Sequence, residues 1–282
     1  MKEQEIKALV SLLDDEDSEV VGHVEKKIVS MGHKIIPFLE EDWDQKTPVI
    51  QQKLEDLIQG MQFEMVKVRL QTWVENKDEE DEDRRLLKGM WILASYQYPS
   101  LTFPELKKMI EQLYYEVWLE FKYDMHPFDQ IKVLNSILFY KLGFKANTKD
   151  FHAPANSMIN QVISNKTGNP ISLCIIYMLI GRKLKLPIYG VNLPNLFILT
   201  YKNDSTQFYI NAFNKGLIFS KADIDNYISQ LNLKPKDIYY EACTNQEIVR
   251  RVIRNLAVAF EKKGESKKVD DFQTLLKIVE EN

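Results

Sequence analysis

Apolar positions between residues 1 and 142 recur at three- and four-residue spacing, which predicts a succession of amphipathic helices. Ile6, Leu9, Val10, Leu12 and Leu13 form the first stripe; Val20, Val21, Val24 and Ile28 form the second. Asp14-Asp15-Glu16-Asp17-Ser18 separates them, with Ser18 the expected N-cap. Helical patterns follow at 35–43 and 49–73, broken by Met31-Gly32 and by Lys46-Thr47-Pro48. The stretch 75–83 carries seven acidic residues and one lysine and reads as a solvated connector or helix end. Helical spacing then resumes with Leu86, Leu87, Met90, Trp91 and Leu93, and continues over 106–121 and 128–142, punctuated by Tyr98-Pro99-Ser100 and His126-Pro127.

The period changes after Pro187. Segments 188–192, 195–201 and 207–213 are short and rich in Ile, Val, Tyr and Phe, so they read as strands. Lys202-Asn203-Asp204-Ser205 is the expected turn of a hairpin, and on that register paired positions sum to 407, placing Leu196 opposite Asn211. Asn169-Pro170 opens a helix to about Leu184, with Asn169 as N-cap and Pro170 in the first helical position. Residues 245–263 and 266–281 predict a helical hairpin with Gly264 as its C-cap. The fold class is α+β and mainly helical: N-terminal helical layers, a small antiparallel sheet against which they are expected to pack, and a C-terminal helical hairpin.

Composition narrows the function classes. The 282 residues hold 37 Lys+Arg against 41 Asp+Glu, a net charge of −4, which argues against nucleic acid as the partner. Of the ten glycines, the nearest two, Gly181 and Gly190, are nine apart. The glycine-built dinucleotide and phosphate cradles are therefore absent, and no cofactor is expected. Cys174 and Cys243 form no C-x-x-C, which fits a reducing compartment. The charged start, Met1-Lys2-Glu3-Gln4-Glu5-Ile6-Lys7, is not a signal peptide, and the longest uncharged runs, 167–181 and 186–201, are shorter than the ~18 residues a span needs. No membrane partner and a cytoplasmic location are the expectations. No H-E-x-x-H, Cys/His cluster or calcium loop exists, so no metal is expected either.

The informative blocks are Asn156-Ser157, Gly168-Asn169-Pro170-Ile171-Ser172-Leu173, the run from Leu186-Pro187 to Leu196-Phe197, and Ile210-Asn211-Ala212-Phe213-Asn214-Lys215-Gly216. In order and spacing they resemble the SirB1 family of transglutaminase-like proteins, over about 125–282. Leu138 to Phe144 and Phe151-His152-Ala153-Pro154 are similar to that family too, and 250–277 resembles its tetratricopeptide-like tail. The early helices resemble a HEAT-type repeat. The resemblance implies a division into 1–74 (helical, HEAT-like), 75–83 (acidic linker), 84–244 (transglutaminase-like) and 245–282 (tetratricopeptide-like hairpin).

Active transglutaminase-like enzymes use a Cys at a helix start with a His and an Asp on neighbouring strands. Carried onto this sequence, those positions are Pro170, Leu196 and Asn211, none of which can serve as nucleophile, base or orienting carboxylate. Ser172, Asn195 and Asn214 are the further residues expected around the old groove. The surviving alternative is a cysteine hydrolase or acyl transferase pairing Cys174 with His152. Against it, Cys174 in Leu173-Cys174-Ile175-Ile176 reads as a buried small hydrophobe, His152 as a loop-packing residue, and Ser172 as a helix cap. Arg250, Arg251 and Arg254 share a helix with Glu247 and Glu261 and read as a solvated face, though a basic face could also dock an acidic partner. The expectation is a non-catalytic interaction or regulatory protein with a protein partner, of unspecified oligomeric state.

Overall fold

The computed structural model describes residues 3–32, 35–41, 43–76 and 81–281. His33 and residues 77–80 of the acidic stretch lie outside them. The chain divides into two compact units, Met1–Arg69 and Leu70–Asn282.

In the first unit, helices α1 (Glu3–Ser11), α2 (Ser18–Ser30) and the single turn α3 (Ile36–Leu39) precede α4 (Pro48–Glu75), along which the unit boundary falls. Their apolar stripes meet in one cluster in which Leu13, Ile28, Leu39 and Leu54 are fully buried. The cap of α2 is Asp17 rather than Ser18: its carboxylate accepts from the Glu19 amide at 2.8 Å. Asp17 is itself held by Asp15, whose side chain accepts its amide, so the acidic run supplies the cap one residue early.

The second unit is a small sheet wrapped by helices. Helices α5 (Glu82–Ala94), α6 (Phe103–Trp118) and α7 (Pro127–Asn135) come first; α7 continues into wider π turns over Ser136–Lys141. A two-residue parallel pair, β1 (Lys145–Ala146) and β2 (Thr167–Gly168), brackets α8 (Ile159–Asn165). The apolar helix α9 (Pro170–Lys183) then leads to an antiparallel meander of β3 (Ile188–Leu193), β4 (Leu196–Lys202), β5 (Gln207–Asn211) and β6 (Leu217–Phe219). One face of the sheet packs Val191, Leu193, Ile198 and Tyr209 against Ile224 and Ile228 of α10 (Lys221–Gln230). The other face meets α9: a Cβ on Gly181 would lie 2.6 Å from Ile188 Cδ1, and Cys174 Sγ is 3.5 Å from the Phe197 carbonyl. The fold is mainly helical α+β with a small four-stranded antiparallel sheet.

The hairpin between β4 and β5 corrects the expected register. Lys202 pairs with Gln207 and Leu199 with Ile210, so paired positions sum to 409, not 407. The turn is 203–206 because the Asn203 side chain accepts from the Ser205 and Thr206 amides, at 3.1 and 2.8 Å, moving the turn one residue along the chain. A shift of two in the sum preserves facing, so Leu196 and Asn211 share a face but are diagonal rather than direct neighbours.

The C-terminal hairpin, α11 (Asn245–Lys262) and α12 (Ser266–Glu280), turns at Gly264 with φ +74°. It buries its apolar face on α5. Gly89 allows the close approach, since a Cβ there would lie 2.7 Å from Val249, and Tyr96 packs edge-on against Phe260 and Phe272.

Candidate functional site

Two of the sequence motifs join at the start of α9. Asn169 is the N-cap: its Oδ1 accepts from the Ser172 amide at 3.0 Å, while its own amide donates to Ser172 Oγ at 3.1 Å, a reciprocal capping box. Its Nδ2 donates to Ser157 Oγ at 2.7 Å. One step behind, Asn156 donates to the carbonyls of Asp150 and Phe151 and accepts from Asn147. Gly168 belongs here because a Cβ would sit 2.6 Å from Ser172 Oγ and 2.8 Å from Val162. Asn156, Ser157, Asn169 and Ser172 are all buried and hydrogen-bonded, so this polar knot is self-contained.

Asn211 has a similar local task. Its Oδ1 accepts from the Asn214 amide at 3.2 Å, capping the 3₁₀ turn Ala212–Asn214 and ending β5, while Asn214 is exposed. The motif closes on Gly216 at φ +74°, where a Cβ would collide with Asn135 Oδ1 at 1.9 Å. Asn135 donates to the Gly216 carbonyl at 2.9 Å and accepts from the fully buried Tyr177 hydroxyl at 2.8 Å.

Beside the polar knot lies a cavity of about 670 Å³. Its walls are Pro170 and Ile171 at the start of α9, the β3–β4 turn with Asn192 and Asn195, the 151–157 loop, Ile238 and Tyr239, and a flank of α11. Asn195 takes a left-handed conformation, φ +57°, in the two-residue turn. Of the residues expected around the groove, Pro170 and Asn195 line it, and His152 lies at its exposed rim. Ser172 is enclosed in the capping box, Leu196 packs on the cluster under α10, and Asn211 caps its own turn.

The sequence reading missed the α11 flank as a cavity wall. Glu247, Arg250, Arg251, Arg254, Asn255 and Val258 recur at helical spacing opposite the apolar stripe of Ile248, Val252 and Leu256, and all six line the cavity. Glu247 is engaged in a capping box with Thr244, and Arg254 pairs with Glu280 on the surface. Arg251 differs. It is half-buried, lies over the Phe197 ring at 5.9 Å, and donates to Asn192 Oδ1 and, at 2.9 Å, to the Leu193 carbonyl. Burial pulls its guanidinium below the ordinary value, and among the described residues no carboxylate pairs with it. The solvated-face expectation therefore fails at Arg251, because the helix turns that residue onto the β3–β4 turn.

The two thiols lie elsewhere. Cys174 is fully buried, and burial pushes its thiol well above the ordinary value; Cys243 is pushed up to about 12 for the same reason. Cys174 Sγ donates to the Phe197 carbonyl, whereas His152 is exposed with its ring edge-on to Phe151 at 5.2 Å. Among the described residues no group of His, Cys, Asp and Glu could hold a metal ion. No described helix is long and apolar enough to cross a membrane.

A helix opened by a capped turn and laid against an antiparallel sheet is the arrangement of a transglutaminase-like core, and comparison agrees. A family model described as the transglutaminase-like superfamily matches residues 104–254, and the chain belongs to that superfamily. Among curated relatives, a UPF0162 protein of Xylella fastidiosa is 32% identical over 139 residues, 49% of this chain and 49% of that one. UPF0162 protein YchA of Escherichia coli is 26% identical over 133 residues, 45% of this chain and 49% of its own. F-box only protein 21 of Mus musculus is 26% identical over 142 residues, 48% of this chain and 22% of its own. The chain spans about half the length, or less, of these relatives. No solved structure matches.

Proposed function

We propose that this chain is a non-catalytic protein-interaction or regulatory protein built on a degenerate, SirB1-like transglutaminase-like domain, acting in the cytoplasm. The observation that carries the reading is the cavity at the α9 start: Pro170 stands where the resemblance puts the nucleophile, and among the described residues the cavity lining holds no cysteine. Leu196 and Asn211, the remaining triad positions, have packing and capping tasks that need no chemistry. The match to 22% of F-box only protein 21 fits a module that serves within larger proteins. In this reading 1–74 is a HEAT-like helical region, 75–83 an acidic connector, 84–244 the transglutaminase-like domain and 245–282 a tetratricopeptide-like hairpin.

The test is site-resolved alkylation with iodoacetamide at neutral pH, combined with affinity capture from native extract. Slow labelling of Cys174, and a captured partner retained by Cys174→Ala, is the expected result. Fast labelling of Cys174 that falls away in His152→Ala overturns the reading in favour of a Cys-His enzyme.

A further inference from the structure

We infer that the cavity between the start of α9 and the flank of α11 is a docking site for a protein segment that alternates acidic and apolar side chains, its carboxylate seated on Arg251. This deepens the interaction reading and rests on it.

Charge comes first. The chain is net negative, yet this cavity is lined by Arg250, Arg251 and Arg254; Arg250 pairs with Glu247 at 3.9 Å and Arg254 with Glu280 at 2.5 Å, which leaves Arg251 the one of the three with no carboxylate among the described residues. A half-buried guanidinium loses hydration that two neutral acceptors, Asn192 Oδ1 and the Leu193 carbonyl, only partly replace. Both of those bonds come from Nη1, which leaves the rest of the planar fork for a carboxylate, the geometry that guanidinium recognises bidentately. A ligand carboxylate there completes an ion pair that the chain leaves open.

Shape and apolar surface select among acidic ligands. Phe151, Ile238 and Val258 stand around the same cavity at 45%, 55% and 42% exposure, on three separate elements. Such a rim gives apolar side chains on both sides of the carboxylate somewhere to settle, which a small dicarboxylate cannot use. The anchor is also rigid. Arg251 holds the Leu193 carbonyl, and the Tyr227 hydroxyl holds the next one, Pro194, at 2.9 Å, so the β3–β4 turn is fixed from both sides before anything binds.

The experiment uses the full chain and fluorescence anisotropy with a fluorescein-labelled octapeptide of alternating Glu and Leu. A peptide with Gln for Glu should bind at least tenfold more weakly, and Arg251→Gln should weaken the Glu peptide by at least tenfold. Because Arg251 also pins a turn, Val258→Glu serves as a second variant: it sits on the exposed helix flank, adds a repelling charge to the cavity, and should cause a similar loss. Leu119→Glu, at a 71% exposed position elsewhere, should leave binding unchanged, with folding of all variants followed by circular dichroism. Equal binding of the Glu and Gln peptides, or no binding of either, overturns the inference. Glutarate displacing the peptide as well as unlabelled peptide does overturns it too, since the site then takes a small dicarboxylate. A native partner captured equally by the wild type and by Val258→Glu leaves the interaction reading standing and removes this cavity as its site.

Discussion

The start of α9 and the flank of α11 bring polar side chains to the same cavity, but they satisfy them differently. At α9 every buried polar group is answered from within: Asn169 by Ser172 and Ser157, Asn156 by Asn147 and two carbonyls. At α11 the half-buried Arg251 is answered only by neutral acceptors. A closed polar network rigidifies a fold and gains nothing from a ligand, whereas an open one stores affinity for whatever completes it. Residues of the blocks that resemble the family thus hold the fold together here, while the half-buried group with no charged partner among the described residues, Arg251, lies on a helix beside them.

The largest effect should come from the closed side. Gly216→Ala puts a Cβ into Asn135 at φ +74° and disturbs the bonds to Tyr177 and to the Gly216 carbonyl, so a loss of about 3–5 kcal/mol is expected by urea denaturation. A loss under about 1 kcal/mol would mean the region relaxes easily and the network is not rigid. Next, Asn169→Ala removes a helix cap and strands Ser157 Oγ and the Ser172 amide in a buried site, at about 2–3 kcal/mol. Asn169→Asp restores the cap acceptor but not the donor to Ser157, and should recover only part of it.

A third effect depends on pH. Both thiols have folded values raised by burial, from an ordinary value near 9, to about 12 for Cys243. The unfolded chain therefore releases protons above pH 9 that the folded chain retains, so stability is full below pH 9 and falls as pH rises. Between pH 9 and 10 the loss should be about 1 kcal/mol for each thiol, on top of a slope from buried tyrosines such as Tyr177 and Tyr209, whose values burial also raises from the ordinary 10. The double variant Cys174→Ala/Cys243→Ala, denatured in urea across that window, should show a flatter slope. An unchanged slope would place the thiols in contact with solvent.

Much of this contrast was readable in the residues, and its limits are physical. Asn169-Pro170 declares the α9 start because capping is local, and the strands of the hairpin follow from short runs rich in Ile, Val, Tyr and Phe between turn residues. The register slipped because a single side chain, Asn203, chose the turn. Helix α10 carries visible signs that the sequence reading missed: a capping box at Ser220 and Asp223, and Ile224, Tyr227, Ile228 and Leu231 at helical spacing. Strands β1 and β2, two residues each, have no pattern to read. Interleaved glutamates make Arg251 read as part of a solvated face; only the packing of α11 on the β3–β4 turn separates it from Arg254 one turn on.

That separation sets the smallest expected effect. Arg254 is exposed and paired with Glu280, an arrangement in which solvent screening leaves little net stabilisation. Arg254→Ala should change stability by no more than about 0.5 kcal/mol in urea denaturation. It still stands at the cavity rim, so long-range attraction should make it felt in binding: about threefold weaker for the Glu-Leu peptide at low salt, fading toward no difference near 0.5 M salt as the screening length shortens. Arg251→Gln should keep most of its deficit at that salt, because its fork acts at contact distance in a half-buried site. If both variants lose their deficits together as salt rises, the two arginines are one diffuse basic surface, and the distinction between an open buried pair and a solvated one disappears.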